Sequence, residues 1–265
     1  MEQLDSRAQS SKTGMNKSSN ITALMPSTYS ESARRVVAIV LLPGMDGSGA
    51  LFEDFASELK ARSFVISYPP DQPLGYGELE EFVLAALPKT EPFILLAESF
   101  SGPIAVALAA RQVPQLRGLV LVCSFAKAPP SFPTFLQKYL AGLPFWRAPV
   151  ALAARVLLDA YRSKTIEAKL EHAIRAVSPQ VWNVRLRAVL GVDLTTDLCR
   201  IQIPVLYLRA SEDKVVFSSA SEVICRHVSA AKVVEVEGPH FLLQAKPKES
   251  AAAIRAFANE YGLAL

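Results

Sequence analysis

Along this chain, short unbroken apolar runs take turns with segments whose apolar positions recur every three or four residues. Val36 to Leu42, Phe64 to Tyr68, Phe93 to Ala97, Leu116 to Ser124, Pro204 to Arg209 and Lys232 to Val236 are the short runs, rich in Val, Ile and Leu. Runs of that length and make-up suit strands packed into a parallel sheet. Leu51 to Ala61 carries apolar residues at 51, 52, 55, 56 and 59, the spacing of one helix face. Glu78 to Leu87 (ended by Pro88), Gly102 to Arg111, Ser218 to Val228 and Pro247 to Tyr261 are the other helical segments of this alternation. Strand and helix in turn predict an α/β fold: a mostly parallel sheet of about six strands, flanked by helices and joined by right-handed crossovers.

The alternation stops between residues 126 and 200. No strand pattern occurs there, and Pro129, Pro130, Pro133, Pro144 and Pro149 punctuate the segment. Helical character returns at about Phe132–Ala141, Pro149–Tyr161, Ser163–Val177 and Pro179–Val189. Residues 126–200 are therefore expected to be a helical insertion into a core built from residues 36–125 and 201–265. Residues 1–35 are rich in Ser, Lys, Thr, Asn and Gln and lack the apolar stretch of a signal peptide. They are expected to be a disordered tail, in which Met15 and Met25 are candidate physiological starts.

Composition narrows the partners. Of 265 residues, 51% are hydrophobic and 20% charged, and the net charge is +3. So slight a positive balance argues against a nucleic-acid partner. No uncharged apolar run reaches the ~18 residues of a membrane span, so no stable membrane insertion is expected. Cys123, Cys199 and Cys225 are odd in number and far apart, which fits reduced thiols in a cytoplasmic protein. Cys123, inside an apolar run, reads as a packing residue. Three scattered histidines and the lack of a His-Glu-x-x-His pattern imply no metal. No phosphate-cradling glycine motif follows the first strand, and no cofactor is expected.

The candidate chemistry lies at strand ends. In Phe93-Ile94-Leu95-Leu96-Ala97-Glu98-Ser99-Phe100-Ser101-Gly102-Pro103 a strand passes into a helix through Ser99. Ala97 stands two residues before it and Ser101 two after, a relaxed G-x-S-x-G nucleophile elbow. Such a turn strains the nucleophile's backbone and brings its neighbours too close for bulky side chains. Ser101 is the poorer nucleophile, because Pro103 stands where a small residue is needed. The turn opens a helix, whose free N–H groups suit an oxyanion. The two donors are Phe100, directly after the nucleophile, and Met45, directly after Pro43-Gly44 beyond the first strand.

Open parallel sheets bind ligands beyond the C-terminal ends of their strands. Beyond the fifth strand stands Ala210-Ser211-Glu212-Asp213-Lys214, and beyond the sixth Gly238-Pro239-His240. Serine at neutral pH is a weak nucleophile until a base takes its proton. Histidine, with an ordinary pKa of about 6.5, can take that proton and return it. A carboxylate fixes the imidazole tautomer, and here Glu212 and Asp213 are both candidates. His172 lies among charges in the insertion, and His227 lies near a helix end where its charge suits the dipole. His240 is the remaining base.

Four blocks together carry a family resemblance. Leu41-Leu42-Pro43-Gly44-Met45-Asp46-Gly47-Ser48-Gly49, Ala97-Glu98-Ser99-Phe100-Ser101-Gly102, Ser211-Glu212-Asp213-Lys214-Val215-Val216 and Gly238-Pro239-His240-Phe241-Leu242-Leu243-Gln244 resemble blocks of the α/β-hydrolase superfamily, a similarity spanning about residues 36–262. The resemblance implies Ser99 as nucleophile, Asp213 rather than Glu212 as acid, His240 as base, Met45 and Phe100 as oxyanion donors, and a lid at 126–200. This sequence departs from the family pattern at Ala97 and Ser101, where glycine is usual, and at Leu42-Pro43-Gly44, where His-Gly is usual. The first two of the family's eight strands have no counterpart in this pattern, so a trimmed sheet is expected. The implied activity is hydrolysis of a small-molecule carboxylic ester, short or medium in its acyl chain, through an acyl-enzyme. Phe132, Phe135, Leu136, Tyr139, Leu140, Leu143, Phe145 and Trp146 either line an acyl pocket or pack the lid on the core. Thioesterases and acyltransferases use the same triad, and a ligand receptor or scaffold is the non-enzyme alternative, disfavoured because all three triad residues are present.

Overall fold

The computed structural model of the chain describes residues 35–128 and 150–265. Residues 1–34 of the expected tail, the expected helix at 132–141 and the aromatic cluster between Phe132 and Trp146 lie outside these residues. The strands are β1 (Arg35–Val36), β2 (Ala38–Leu42), β3 (Ser63–Val65), β4 (Phe93–Glu98), β5 (Leu116–Val122), β6 (Val205–Ala210), β7 (Ala231–Val236) and β8 (Leu263–Ala264). Six of them form one sheet in the order β3-β2-β4-β5-β6-β7, with every neighbouring pair parallel. β1 and β8 form a separate parallel pair that the hydrophobic pattern does not announce, each being only two residues long.

Every residue of β2 and of β4 is buried, which is why β2 and, up to Ala97, β4 read as unbroken apolar runs. Alternate side chains enter different layers. Val40, Leu42, Leu95, Ala97, Leu119 and Leu121 share a core with α2 (Tyr76–Ala86), α3 (Gly102–Ala110) and α8 (Ser219–His227). Ile39, Leu41, Ile94, Leu96, Val120 and Val122 share the opposite core with α1 (Glu53–Leu59) and α10 (Pro247–Glu260). Each such Leu or Ile contributes ~1.5–3 kcal/mol on burial, so the central strands are the least movable part of the fold. β7 is an edge strand with an exposed middle, and charged Lys232 and Glu235 stand there, as suits an edge that must not pair with another chain.

Between β5 and β6 lie α4 (Val150–Leu158), α5 (Lys164–Ala176), α6 (Pro179–Gly191) and the short α7 (Thr195–Leu198). The Ser163 and Ser178 hydroxyls cap α5 and α6 by accepting the Ile166 and Val181 N–H groups, each at 3.3 Å. Pro179, which follows Ser178, occupies the first turn of α6, where its missing N–H costs nothing. Ala154 and Leu158 of α4 and Leu170 of α5 pack with Leu51 and Phe241, and Val181 and Trp182 of α6 pack with Met45. These helices thus lean on two of the loops that leave the C-terminal edge of the sheet. A further short helix, α9 (Leu242–Ala245), follows the β7 loop.

Candidate active site

Ser99, Asp213 and His240 come from the ends of β4, β6 and β7, and their side chains meet. The Ser99 hydroxyl lies 2.9 Å from His240 Nε2. His240 Nδ1 lies 2.8 Å from Asp213 Oδ2 and 2.9 Å from Oδ1. Asp213 Oδ1 also accepts the Val215 and Val216 N–H groups, both at 2.8 Å. The imidazole and carboxylate side chains are only 2% and 4% exposed, while Ser99 is half-buried. An open hydroxyl therefore leads inward to a dry imidazole and a dry, fully bonded carboxylate. The chain of bonds can move a proton off the serine and hold the resulting imidazolium.

The other candidates stand apart. The Glu212 side chain is exposed, and so is His172. The His227 Nδ1–H donates to the Val223 carbonyl at 2.8 Å within its own helix. Ser101 is fully buried, donates to the Pro43 carbonyl and bonds to the Tyr68 hydroxyl at 2.5 Å.

Ser99 carries a backbone φ of 47°, a region that L-residues seldom occupy. Its surroundings hold it there. The Ser124 hydroxyl donates to the Ser99 carbonyl at 2.5 Å, and the Tyr207 hydroxyl donates to the Ser124 carbonyl at 2.6 Å. The Tyr76 hydroxyl donates to the Phe100 carbonyl at 3.0 Å. A Cβ on Gly102 would stand 1.8 Å from the Ser124 oxygen, so the brace requires glycine at 102. Ser124 ends an apolar run in the sequence, and nothing there marks it as a support for the elbow.

The Met45 loop is a turn closed by the Gly47 N–H to the Gly44 carbonyl at 3.0 Å. The Met45 N–H finds no acceptor among the described residues. The Asp46 carboxylate accepts the Ser48 N–H at 2.9 Å. Arg185 of α6 reaches this turn, donating to the Met45 carbonyl at 2.8 Å and to the Asp46 carbonyl at 3.0 Å. The sequence carried a signal for it. Val181, Trp182, Leu186 and Val189 mark the buried stripe of α6, and Arg185 is a lone cation on that stripe.

Two further groups lie close to the meeting point. Cys123 has a φ of 47° and is 1% exposed. Its Sγ and ligand atoms of Asp213 and His240 lie within 4.8 Å of one another. Burial, and then the Asp213 charge, push its thiol well above the ordinary value, which keeps it an unreactive neutral neighbour. The packing residue of the sequence reading thus lines the relay itself.

Glu98, directly before Ser99, is 3% exposed. Burial raises its carboxyl to about 8, and the Asp46 charge pushes the same way, against the Gln244 amide. Glu98 Oε1 and both polar atoms of Gln244 have no hydrogen-bond partner among the described residues, so the amide offsets little. A free carboxyl at its ordinary 4.5 loses its proton well below the folded one. Between about 4.5 and 8 unfolding therefore releases this proton, and stability falls as pH rises through that window. Glu98→Gln is expected to abolish that part of the slope. Urea melts from pH 5 to 8 should show the variant gaining on the wild type as pH rises; parallel curves would refute it.

The chain matches the alpha/beta hydrolase family over residues 39–253. Among solved structures it is similar to the enol-lactonase from Burkholderia xenovorans LB400, with a TM-score of 0.74 and 17% identity over 85% of this chain and 92% of that one. Bromoperoxidase from Bacillus anthracis gives 0.73 at 16% identity, covering 84% and 92%. A lipase-esterase related protein from Clostridium acetobutylicum gives 0.70 at 17% identity, covering 84% and 95%. No curated protein matches the chain by sequence.

Proposed function

The chain belongs to the alpha/beta hydrolase family, and we propose that it is a serine hydrolase cleaving small carboxylic esters of short or medium acyl chain. The observation that carries this reading is the unbroken run of short contacts from the half-buried Ser99 hydroxyl through His240 to Asp213. The names of the structural neighbours are mixed, a lactonase beside a bromoperoxidase, so the substrate class rests on the site.

In this mechanism His240 Nε2 takes the Ser99 proton as the oxygen attacks the acyl carbonyl. The Met45 and Phe100 N–H groups receive the oxyanion, preorganised for charge that exists only in the transition state. His240 returns the proton to the departing alcohol, leaving Ser99 acylated. Water, activated by the same imidazole, then releases the acid. The helices at 150–198 act as a lid over this edge of the sheet. No helix among the described residues is long and apolar enough to cross a membrane, and the expected place of action is the cytoplasm.

p-Nitrophenyl esters from acetate to octanoate, with acyl thioesters alongside, test the reading. Acetate or butyrate turnover, with fluorophosphonate labelling at Ser99, is the expected result. No turnover and an unlabelled Ser99 would overturn it, and a strong preference for thioesters would move the substrate class.

A further inference from the structure

Among the described residues Arg185 heads the fully buried side chains by size, and it is 1% exposed. A cation among apolar neighbours is costly unless its N–H groups are met. Here backbone carbonyls meet both Nη atoms, while the buried Nε–H has no partner among the described residues. Nη1 donates to the Met45 and Asp46 carbonyls at 2.8 and 3.0 Å, and Nη2 to the Pro69 carbonyl at 3.1 Å. The guanidinium also lies 5.6 Å from the centre of the Tyr68 ring. Its acidic neighbour Asp46 acts on it only through the longer-range field, that carboxylate being engaged by Ser48.

The three carbonyls belong to the loops after β2 and β3, and two are the central carbonyls of the turn that presents the Met45 N–H. Such carbonyls point away from the turn, and their peptide planes can rock unless something holds them. Arg185 holds both. The Tyr68 N–H fixes the far end of the turn by donating to the Gly47 carbonyl at 2.7 Å. Gly47 leaves the guanidinium its room: its φ is +73°, and a Cβ there would lie 2.7 and 2.9 Å from Nη1 and Nη2. A lysine, with one compact ammonium, cannot span three carbonyls as a planar fork does.

We infer that Arg185 is a positioning residue for the oxyanion: the guanidinium carried by α6 fixes the Met45–Asp46 and Asp46–Gly47 peptides, and so steadies the turn whose Gly47 N–H to Gly44 carbonyl bond holds the peptide that carries the Met45 N–H, coupling the inserted helices to the oxyanion loop. This rests on the ester-hydrolase reading. Full-length wild type, Arg185→Met and Arg185→Lys are to be compared with Ser99→Ala on p-nitrophenyl butyrate.

Losing an oxyanion donor outright costs ~100- to 1000-fold in rate, so loosening one is expected to cost about 10- to 100-fold. In Arg185→Met that loss should fall on kcat, with KM within about twofold, as for a group acting only in the transition state. An alkylboronate mimic of the tetrahedral state should lose affinity in step with kcat. Arg185→Lys should recover part of the loss. Exchange of the Gly47 amide should quicken in Arg185→Met whatever the substrate.

A wild type no better than Ser99→Ala defeats the ester reading, and Gly47 exchange then decides the clamp alone. With an active wild type, a folded Arg185→Met of unchanged kcat, or one whose loss falls on KM, overturns the inference. If Arg185→Met does not fold, unchanged kcat in Arg185→Lys overturns it instead.

Discussion

Ser99→Ala is expected to lower kcat/KM on p-nitrophenyl butyrate by ~10⁴- to 10⁶-fold, on the scale seen when a serine nucleophile is removed. Whatever survives comes from the oxyanion donors and binding, which do not need the hydroxyl. The fold should tolerate the change. Ser99 is half-buried, so water can replace its hydroxyl at His240 Nε2. Alanine meets the same backbone strain at a φ of 47° as serine does. The braces act on the Ser99 and Phe100 carbonyls, not on the lost oxygen. Steady-state kinetics beside a thermal melt separate the two effects: activity should collapse with little change in Tm. A variant keeping a tenth of its activity would mean another nucleophile, and Ser101 is ill placed for that role, being buried and bonded to Pro43.

What was legible in the sequence follows a physical division. Apolar runs buried on both faces, such as Ala38–Leu42 and Phe93–Ala97, announce themselves because every position answers to the same demand. The order of the candidate side chains was legible too, since a parallel sheet sends all its strand ends to one edge. Support was not. Ser124 is an ordinary residue after an apolar run, and only the fold brings its hydroxyl to the Ser99 carbonyl. Gly102 looked like a helix-opening residue, whereas the close approach of Ser124 is what demands it. Cys123 looked like a hydrophobe and is one, but it lies against Asp213 and His240. Helix ends also drifted: the pattern over 149–161 is an α-helix to Leu158 and a tighter 3₁₀ turn from Asp159 to Tyr161.

Asp213→Asn separates charge and proton placement from shape, and it is expected to cost ~10⁴-fold in kcat with a smaller change in KM. The carboxylate has two tasks. Its Oδ1 holds the Val215 and Val216 N–H groups, and both of its oxygens face His240 Nδ1. An asparagine can keep the first task with its single carbonyl oxygen. Its NH₂ must then turn toward Nδ1, which can accept that bond only by giving up its own proton. The proton moves to Nε2 and points at the Ser99 hydroxyl, so the imidazole can no longer receive from the serine. The negative charge that would steady an imidazolium is gone as well. Asp213→Ala is the control, because it removes the Val215 and Val216 bonds and should lose stability along with activity. Should Asp213→Asn melt like the wild type and still turn over ester at a comparable rate, Asp213 would be a loop cap, and the carboxylate that serves His240 would have to be sought elsewhere.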